Sequence, residues 1–255
     1  MTLQHLSYGQ GNPLLILHGF LGSSDNWGTQ AKLLAEHFHV FVPDARNHGR
    51  SPHAGEFDYA VMAEDIREFM KQHDLPATSL IGHSMGGKTA MLLALRYQEL
   101  VRKLVVVDVA PKRYPHLHDE ILEVLTSLDP SRHSSRQEID RALAVKIPSL
   151  TTRQFLMKNL ARDGGGFRWK MNLPVLSRNY DRIAEEIFSD RPFESPALFL
   201  ISEQSGYVQD EDIPQIRELF PQSVFVGVNV GHWIHAEAPA EFGRIVTEFL
   251  RTETT

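Results

Sequence analysis

The sequence Gly-His-Ser-Met-Gly lies at 82–86, between a short apolar run and a helical pattern, and it limits the folds that this chain can adopt. The run at 79–81 has the length of a buried strand, and 88–97 has the composition of a helix. In this context Gly-x-Ser-x-Gly predicts a nucleophile elbow, a sharp turn that strains the serine backbone. We expect Ser84 to project from the end of a sheet, with the backbone N–H of Met85 as an oxyanion donor. The alternative is an ordinary turn of small residues in another α/β fold.

Composition excludes several classes of function. The chain has 255 residues and a formal net charge of −6, with no basic run, so we predict no nucleic-acid partner. It has no cysteine, which excludes disulfides, thiol catalysis and cysteine-ligated zinc. No signal peptide and no apolar run of about 18 residues is visible, so we expect a cytoplasmic protein without a membrane span. No pattern indicates an oligomeric state.

Strand patterns that alternate with helical patterns predict an α/β fold with a mostly parallel sheet of about seven to eight strands. The continuous apolar runs at 13–17 and 101–107 are typical of strands buried on both faces. A glycine-rich loop at 18–23 follows the first run, and its backbone N–H groups can face a ligand. We expect the N–H of Phe20 to be the second oxyanion donor. A plain strand-to-helix loop is the alternative.

The alternation of strands and helices stops between residues 111 and 192. Helical patterns cover 119–128, 135–147, 151–161 and 182–188, and the glycines at 164–166 precede a short extended stretch. A helical insertion between two sheet strands is typical of a lid over an active site. We therefore predict a discontinuous α/β core, 1–110 and 193–255, and a helical lid insertion, 111–192. The alternative is a helical decoration that packs elsewhere on the molecule.

The loop at 44–52 is dense in polar residues. We expect Asp44 and Arg46 to brace neighbouring loops near the elbow through charge-assisted hydrogen bonds. A direct catalytic role for His48 is the alternative.

A serine hydroxyl is a weak nucleophile at neutral pH and needs a base within hydrogen-bond reach. We assign His232 as that base, because it follows the last strand pattern and a permissive glycine. His235, three residues later at the expected start of a helix, is the competitor. A metal site at these two histidines is a further alternative, but no other ligands cluster near them, so we predict no metal.

Several stretches together resemble the α/β-hydrolase superfamily, and the resemblance covers nearly the whole chain. They are His-Gly-Phe-Leu-Gly-Ser at 18–23, Asp-x-Arg-Asn-His-Gly-x-Ser-Pro at 44–52, Gly-His-Ser-Met-Gly-Gly-Lys at 82–88, Asp-x-Ala-Pro at 108–111 and Gly-His-Trp-x-His-Ala-Glu at 231–237. Within the superfamily, the chain is most similar to the small YbfF-like bacterial esterases. The resemblance implies an α/β-hydrolase fold and hydrolysis of an ester or thioester without a cofactor.

More than one carboxylate could support His232 as the acid of the triad. Superfamily members usually carry it on the loop after the strand that follows the insertion, where this chain has Ser205, which cannot balance the charge of an imidazolium. The nearby carboxylates, Glu203 and Asp210, are both offset from that position. Asp108 ends the preceding sheet strand, so the same edge can present it to His232, and the YbfF-like esterases draw their acid from this strand end. We assign Asp108, with Glu203 and Asp210 as alternatives.

The predicted function is that of a serine esterase or thioesterase that hydrolyses small to medium carboxylic esters or thioesters through an acyl-enzyme. The expected partner is a small-molecule ester or acyl thioester. A carbon–carbon bond hydrolase or lyase of the same fold is the alternative, but such relatives usually keep the acid that Ser205 replaces. A haloalkane dehalogenase or epoxide hydrolase would need a carboxylate at position 84. A non-catalytic binding protein is least favoured, because Ser84 and His232 are both present.

Overall fold

The computed structural model describes residues 1–252, and a seven-stranded sheet forms its centre. Its strands are β1 His5–Tyr8, β2 Pro13–Leu17, β3 His39–Pro43, β4 Thr78–His83, β5 Val101–Val107, β8 Ala197–Ser202 and β9 Ser223–Val228, while β6 Leu160–Asp163 and β7 Gly166–Trp169 form a separate hairpin. The order across the sheet is β1-β3-β2-β4-β5-β8-β9. Strand β1 is antiparallel to β3 and the other neighbours are parallel, which confirms the predicted α/β class.

The helices are α1 Gly28–Leu34, α2 Tyr59–Gln72, α3 Met85–Arg96, α4 Asp119–Ser127, α5 Arg136–Ala144, α6 Leu150–Met157, α7 Leu173–Arg178, α8 Tyr180–Ala184, α9 Ile213–Leu219, α10 Ile234–Glu237 and α11 Pro239–Arg251. Alternate strand residues enter two separate hydrophobic clusters. Ile16 and Ile81 pack with α1 and α11 on one face of the sheet. Leu15 and Leu80 pack with α2 and α3 on the other face. This burial on both faces explains why the strands appear as continuous apolar runs in the sequence.

Between β5 and β8 the chain forms α4 to α8 and the β6–β7 hairpin. The helices predicted at 119–128 and 135–147 are confirmed as α4 and α5, each slightly shorter than expected. The prediction for 151–161 is wrong at its end, because Leu160 and Ala161 pair with Trp169 and Arg168 in the hairpin instead. The prediction for 182–188 is also wrong beyond Ala184.

The chain after Ala184 leaves the helix because it bonds to the start of the insertion. Glu185 is extended, with φ of −61° and ψ of 155°. Two residues later, the N–H of Ile187 donates to the carbonyl of Pro111 at 2.6 Å. This contact, between residues 76 positions apart in sequence, replaces the helical bonds that the local pattern favours.

Residues 111–192 contact core loops that follow the carboxyl ends of the strands. Asn159 donates from Nδ2 to the carbonyl of Leu21 at 2.6 Å, in the loop after β2. The ring of Phe155 lies 5.5 Å from that of Trp233, which follows β9. In a parallel sheet this is the edge where sites for small molecules form.

Within residues 1–252, no helix combines the length and the apolar character needed to cross a bilayer. The same part of the chain contains no group of three or more His, Cys, Asp or Glu side chains arranged to hold a metal ion. The cytoplasmic location stays a prediction.

Candidate active site

Ser84 occupies the turn between β4 and α3, and its backbone is strained. Its φ of 52° and ψ of −118° lie where non-glycine residues are rarely found, at a cost of about 1–3 kcal/mol that the surrounding structure must offset. The turn is enforced by close packing, because a Cβ on Gly86 would lie 2.2 Å from the carbonyl oxygen of Leu17. A Cβ on Gly82 would lie 2.3 Å from the carbonyl oxygen of Gly86. The local geometry is therefore that of the predicted elbow.

His232 and Asp108 meet at the sheet edge that carries Ser84. Nδ1 of His232, on the loop after β9, lies 2.7 Å from Oδ2 of Asp108. Asp108 directly follows β5, is fully buried, and accepts a hydrogen bond at Oδ1 from the N–H of Ser202 at 2.9 Å. Since an ionised carboxylate only accepts hydrogen bonds, Nδ1 is the protonated ring nitrogen in this pair, and Nε2 remains as the basic one.

Two further rings fix the position of His232. Tyr207 stacks on it with a centroid separation of 3.9 Å and an interplanar angle of 15°. Nε2 of His83, the residue before Ser84, donates to the backbone carbonyl of His232 at 3.0 Å. Burial lowers the pKa of His83 well below its usual value, so this ring is neutral. Tyr207 thus contacts the face of the imidazole, and His83 holds the backbone of the same residue.

The structure places the two alternative acids elsewhere. Glu203 and Asp210 are both exposed to solvent on the loop after β8. In the same loop, the hydroxyl oxygen of Ser205 accepts a hydrogen bond from the N–H of Tyr207 at 3.2 Å. Ser205 therefore stabilises the turn that carries Tyr207 to the face of the imidazole.

His235, the competing base, lies in the core. It is buried and stacks on Trp27 with a centroid separation of 4.0 Å and an interplanar angle of 7°. Burial lowers the pKa of His235 to about 3. Its ring is neutral and helps to pack α10 against the start of α1.

The two predicted oxyanion donors are the backbone N–H groups of Phe20 and Met85, and their assignment stays a prediction. Met85 is the first residue of α3, so its N–H has no acceptor within the helix. In the part of the chain that the structure describes, the N–H of Phe20 donates to no backbone carbonyl. Phe20, Met85 and Ser84 line one common cavity.

Two buried histidines hold the loop that carries Phe20. Nε2 of His48 accepts the N–H of Leu21 at 3.2 Å, and Nδ1 donates to the carbonyl of Arg46 at 2.9 Å. Nδ1 of His18 donates to the carbonyl of Gly19 at 2.9 Å. Burial lowers the pKa of His48 to about 3, so its ring stays neutral and keeps a nitrogen free to accept. His48 therefore acts on this loop through packing and hydrogen bonds.

The bracing predicted for the loop at 44–52 is confirmed. Oδ1 of Asp44 accepts the N–H of Ser24 at 2.7 Å. Arg46 forms a two-point contact with Asp65 on α2, with Nε 2.6 Å from Oδ2 and Nη2 2.9 Å from Oδ1. These charge-assisted bonds tie the loop after β3 to the loop after β2 and to α2.

Two cavities open beside Ser84, and both are walled by the core and by the insertion. The smaller one, here named the Lys88 cavity, has a volume of about 40 Å³ and is lined by Phe20, Tyr59, Ser84, Met85, Lys88, Val109, Tyr114, Pro115, Leu117, His118, Tyr180, Ile183, Ala184 and Tyr207. The larger one, the His232 cavity, has a volume of about 210 Å³ and is lined by Gly19, Phe20, Leu21, His83, Ser84, Leu117, His118, Ile121, Thr152, Phe155, Leu156, Tyr207, His232 and Trp233.

Residues 12–239 match the family described as alpha/beta hydrolase fold. The chain belongs to the α/β-hydrolase family. It is 38% identical over 246 residues to the sn-1-specific diacylglycerol lipase ABHD11 of Mus musculus, across 93% of this chain and 80% of that protein. It is 33% identical over 244 residues to the esterase YbfF of Escherichia coli K12, across 94% of this chain and 93% of that one. Among solved structures, a marine microorganism esterase is 42% identical and superimposes with a TM-score of 0.95, across 97% of this chain and 98% of that one.

Sequence analysis did not identify two polar residues beside the site of this α/β hydrolase. Lys88 lies one helical turn after Ser84 and ends the stretch at 82–88 that carries the resemblance, but no role was predicted for it. His118 lines both cavities, and its Nδ1 lies 2.7 Å from the hydroxyl of Tyr180. Burial lowers the pKa of His118 to about 4. No local pattern indicates His118, because its position depends on how the insertion folds.

Proposed function

We propose that this α/β hydrolase is a serine esterase that hydrolyses carboxylic esters and thioesters through an acyl-enzyme formed on Ser84. The observation that carries the proposal is the 2.7 Å contact between Nδ1 of His232 and a fully buried Asp108, beside a serine in a strained turn. This contact fixes the tautomer in which Nε2 faces away from the acid and is free to take a proton. The esterase and lipase names of the relatives agree with this chemistry.

In the proposed first step, the hydroxyl oxygen of Ser84 attacks the carbonyl carbon of the ester while Nε2 of His232 takes the hydroxyl proton. Asp108 stays ionised and stabilises the imidazolium. The negative charge that develops on the carbonyl oxygen is met by the N–H groups of Phe20 and Met85. The imidazolium then returns its proton to the leaving alcohol or thiol, and the acyl group stays on Ser84.

In the second step, His232 removes a proton from water, and the resulting nucleophile attacks the acyl carbon. The tetrahedral species is stabilised by the same two N–H donors and collapses to release a carboxylic acid. His232 gives the proton back to Ser84, so the protein returns to its starting state without a cofactor.

The two cavities divide the substrate between them. His232 must reach the leaving group, so the leaving alcohol or thiol belongs in the His232 cavity, which His232 itself lines. The acyl chain then extends into the Lys88 cavity, which borders Ser84 and Met85 but not His232. Because that cavity has a volume of about 40 Å³, short acyl chains fit the closed site.

We further propose that residues 111–192 act as a lid. Its residues wall both cavities, and Asn159 and Phe155 contact loops at the carboxyl edge of the sheet. A lid of this kind excludes water from the reacting ester and opens to admit larger groups.

The experiment that tests the proposed function is intact-protein mass spectrometry with p-nitrophenyl acetate, combined with release of p-nitrophenol. We expect a rapid burst of p-nitrophenol and an acetyl group on Ser84. Ser84→Ala should give neither, while Ser7→Ala, which changes an exposed serine on β1, should give both. An acetyl group on another residue, or turnover by Ser84→Ala within about tenfold of the natural chain, a barrier change of only about 1.4 kcal/mol, would overturn the proposal.

A further inference from the structure

Lys88 joins the helix that follows the proposed nucleophile to both ends of the insertion. It lies on α3, four residues after Ser84, and is only 1% exposed. Its Nζ donates to the carbonyl of Lys112 at 2.8 Å and also to the carbonyl of Glu185. The first acceptor lies where the chain enters the insertion, and the second lies just after α8, where the chain starts back towards the core.

The surroundings of this amine show that it is placed for those contacts. Nζ lies 5.2 Å from the centre of the Tyr59 ring and 5.1 Å from that of Tyr114, so two aromatic faces flank it. The carboxylates of Glu185 and Glu186 are exposed to solvent. Burying a lysine amine is unfavourable unless its donors are satisfied. Here two carbonyl oxygens accept hydrogen bonds from the amine, and two ring faces interact with its charge. Burial also lowers the pKa of Lys88 to about 7.

We infer that Lys88 is a positioning residue that fixes both ends of the insertion against α3 and thereby sets the acyl-chain length that the site accepts. The inference rests on the proposed esterase function and deepens it. Lys88 can affect the acyl-chain length because the Lys88 cavity is lined from both parts of the chain. Ser84 and Lys88 line it from the core, and Tyr114 and Ile183 line it from the insertion.

A second contact ties the same end of the insertion to the core. The hydroxyl of Tyr59, on α2, donates to the carbonyl of Ile183 at 2.6 Å. Tyr59 and Lys88 therefore hold neighbouring carbonyls, one in α8 and one immediately after it. If these bonds are lost, the ends of the insertion can move away from α3 and the cavity can take a longer chain.

The chain offers a matched control in Lys103 on β5. Its side chain is also buried, at 7% exposure, and its Nζ donates to the carbonyl of Phe249 at 2.8 Å and to that of Thr252. These contacts hold the end of α11 near the start of β5, at the opposite edge of the sheet from Ser84. Lys103→Met thus removes a buried amine of the same kind without touching the insertion.

The test compares the natural 255-residue chain with Lys88→Met and Lys103→Met, using p-nitrophenyl acetate and p-nitrophenyl octanoate. We expect Lys88→Met to raise the octanoate-to-acetate ratio of kcat/KM by about tenfold, and Lys103→Met to leave it within about twofold, although both variants melt at lower temperature. Hydrogen exchange should accelerate at residues 111–115 and 183–187 in Lys88→Met alone. An unchanged ratio in Lys88→Met, or an equal change in Lys103→Met, overturns the inference.

Tyr59→Phe keeps the inference testable if Lys88→Met does not fold. It retains the ring and removes only the hydroxyl bond to Ile183, so we expect a smaller rise in the same ratio and faster exchange at 183–187. No change in either measurement overturns the inference. If the natural chain hydrolyses neither ester, the proposed function fails, and hydrogen exchange in the Lys88 and Lys103 variants still tests the positioning role.

Discussion

At the scale of single residues, His48 shows how a buried ring outside the reacting groups can control the site. Its Nε2 accepts the N–H of Leu21, and Leu21 has a left-handed backbone with φ of 57°. This bond therefore helps to hold a strained residue next to Phe20, the proposed oxyanion donor. His48→Phe preserves much of the ring volume and removes the acceptor, which leaves a buried N–H unpaired at a cost of about 1–3 kcal/mol.

We predict that His48→Phe lowers kcat for p-nitrophenyl butyrate by about 10–100-fold with a smaller change in KM, since a displaced oxyanion donor acts mainly in the transition state. Steady-state kinetics measure this, with His37→Phe, at an exposed position in the turn after α1, as the control. A His48→Phe enzyme with natural kcat would show that this loop keeps its position without the bond.

The sequence allowed the contact between Asp108 and His232 to be predicted because both follow strands of one parallel sheet, whose carboxyl ends share an edge. The roles of His18 and His48 were not predictable in the same way. Each depends on a ring nitrogen that meets a backbone group of another loop, since Nε2 of His48 accepts the N–H of Leu21 and Nε2 of His18 accepts the N–H of Ala45. The contacts of Lys88 were not predictable for a similar reason, since its acceptors are 24 and 97 residues away in the chain.

At the scale of elements, the close approach of β2 and α3 makes the elbow possible. Gly86 lies in the first turn of α3, where a Cβ would sit 2.2 Å from the carbonyl oxygen of Leu17 and 2.6 Å from that of His18. Both acceptors are backbone atoms, so they cannot give way as a flexible side chain would. Any side chain at this position must push the helix away from the strand.

We predict that Gly86→Ala abolishes ester hydrolysis and destabilises the protein by about 2 kcal/mol or more, in the range of overpacked cores. Gly55→Ala is the matched control, because at that exposed position a Cβ would have no atom of residues 1–252 within 4 Å apart from its chain neighbours. Thermal unfolding and p-nitrophenyl butyrate hydrolysis are the two measurements. Equal behaviour of both variants would contradict the packing argument.

The elements of the core were predictable because each strand pattern is local and continuous. Those of the insertion were less so. Helix α6 ends at Met157 because Leu160 and Ala161 pair with β7, and the helical pattern after residue 184 gives way to a bond with Pro111. In both places a contact from elsewhere in the chain outweighs a modest local preference.

At the scale of the whole molecule, buried neutral histidines link stability to pH. Burial lowers the pKa of His48 and of His235 to about 3, whereas an unfolded chain titrates them near the usual value of about 6.5. Between these values the unfolded chain binds protons that the folded protein does not, so stability falls as pH falls. Each histidine contributes up to about 1.4 kcal/mol per pH unit within that window.

We predict that the free energy of unfolding decreases between pH 7 and pH ~4.5, and that His235→Phe reduces the slope, since phenylalanine can stack on Trp27 but cannot titrate. Urea unfolding at several pH values measures both slopes. Equal slopes in the variant and the natural chain would contradict a neutral, buried His235.

The role of Asp108 as the acid that supports His232 is tested by the steady-state kinetics of three variants. Asp108→Asn, Glu203→Gln and Asp210→Asn are compared by kcat and KM for p-nitrophenyl butyrate. We predict that Asp108→Asn lowers kcat by up to about 10⁴-fold, because an amide can leave the imidazole in the wrong tautomer, and that KM changes little. The other two variants should stay within about twofold of the natural chain. A large loss in Glu203→Gln or Asp210→Asn, with Asp108→Asn nearly fully active, would contradict the assignment.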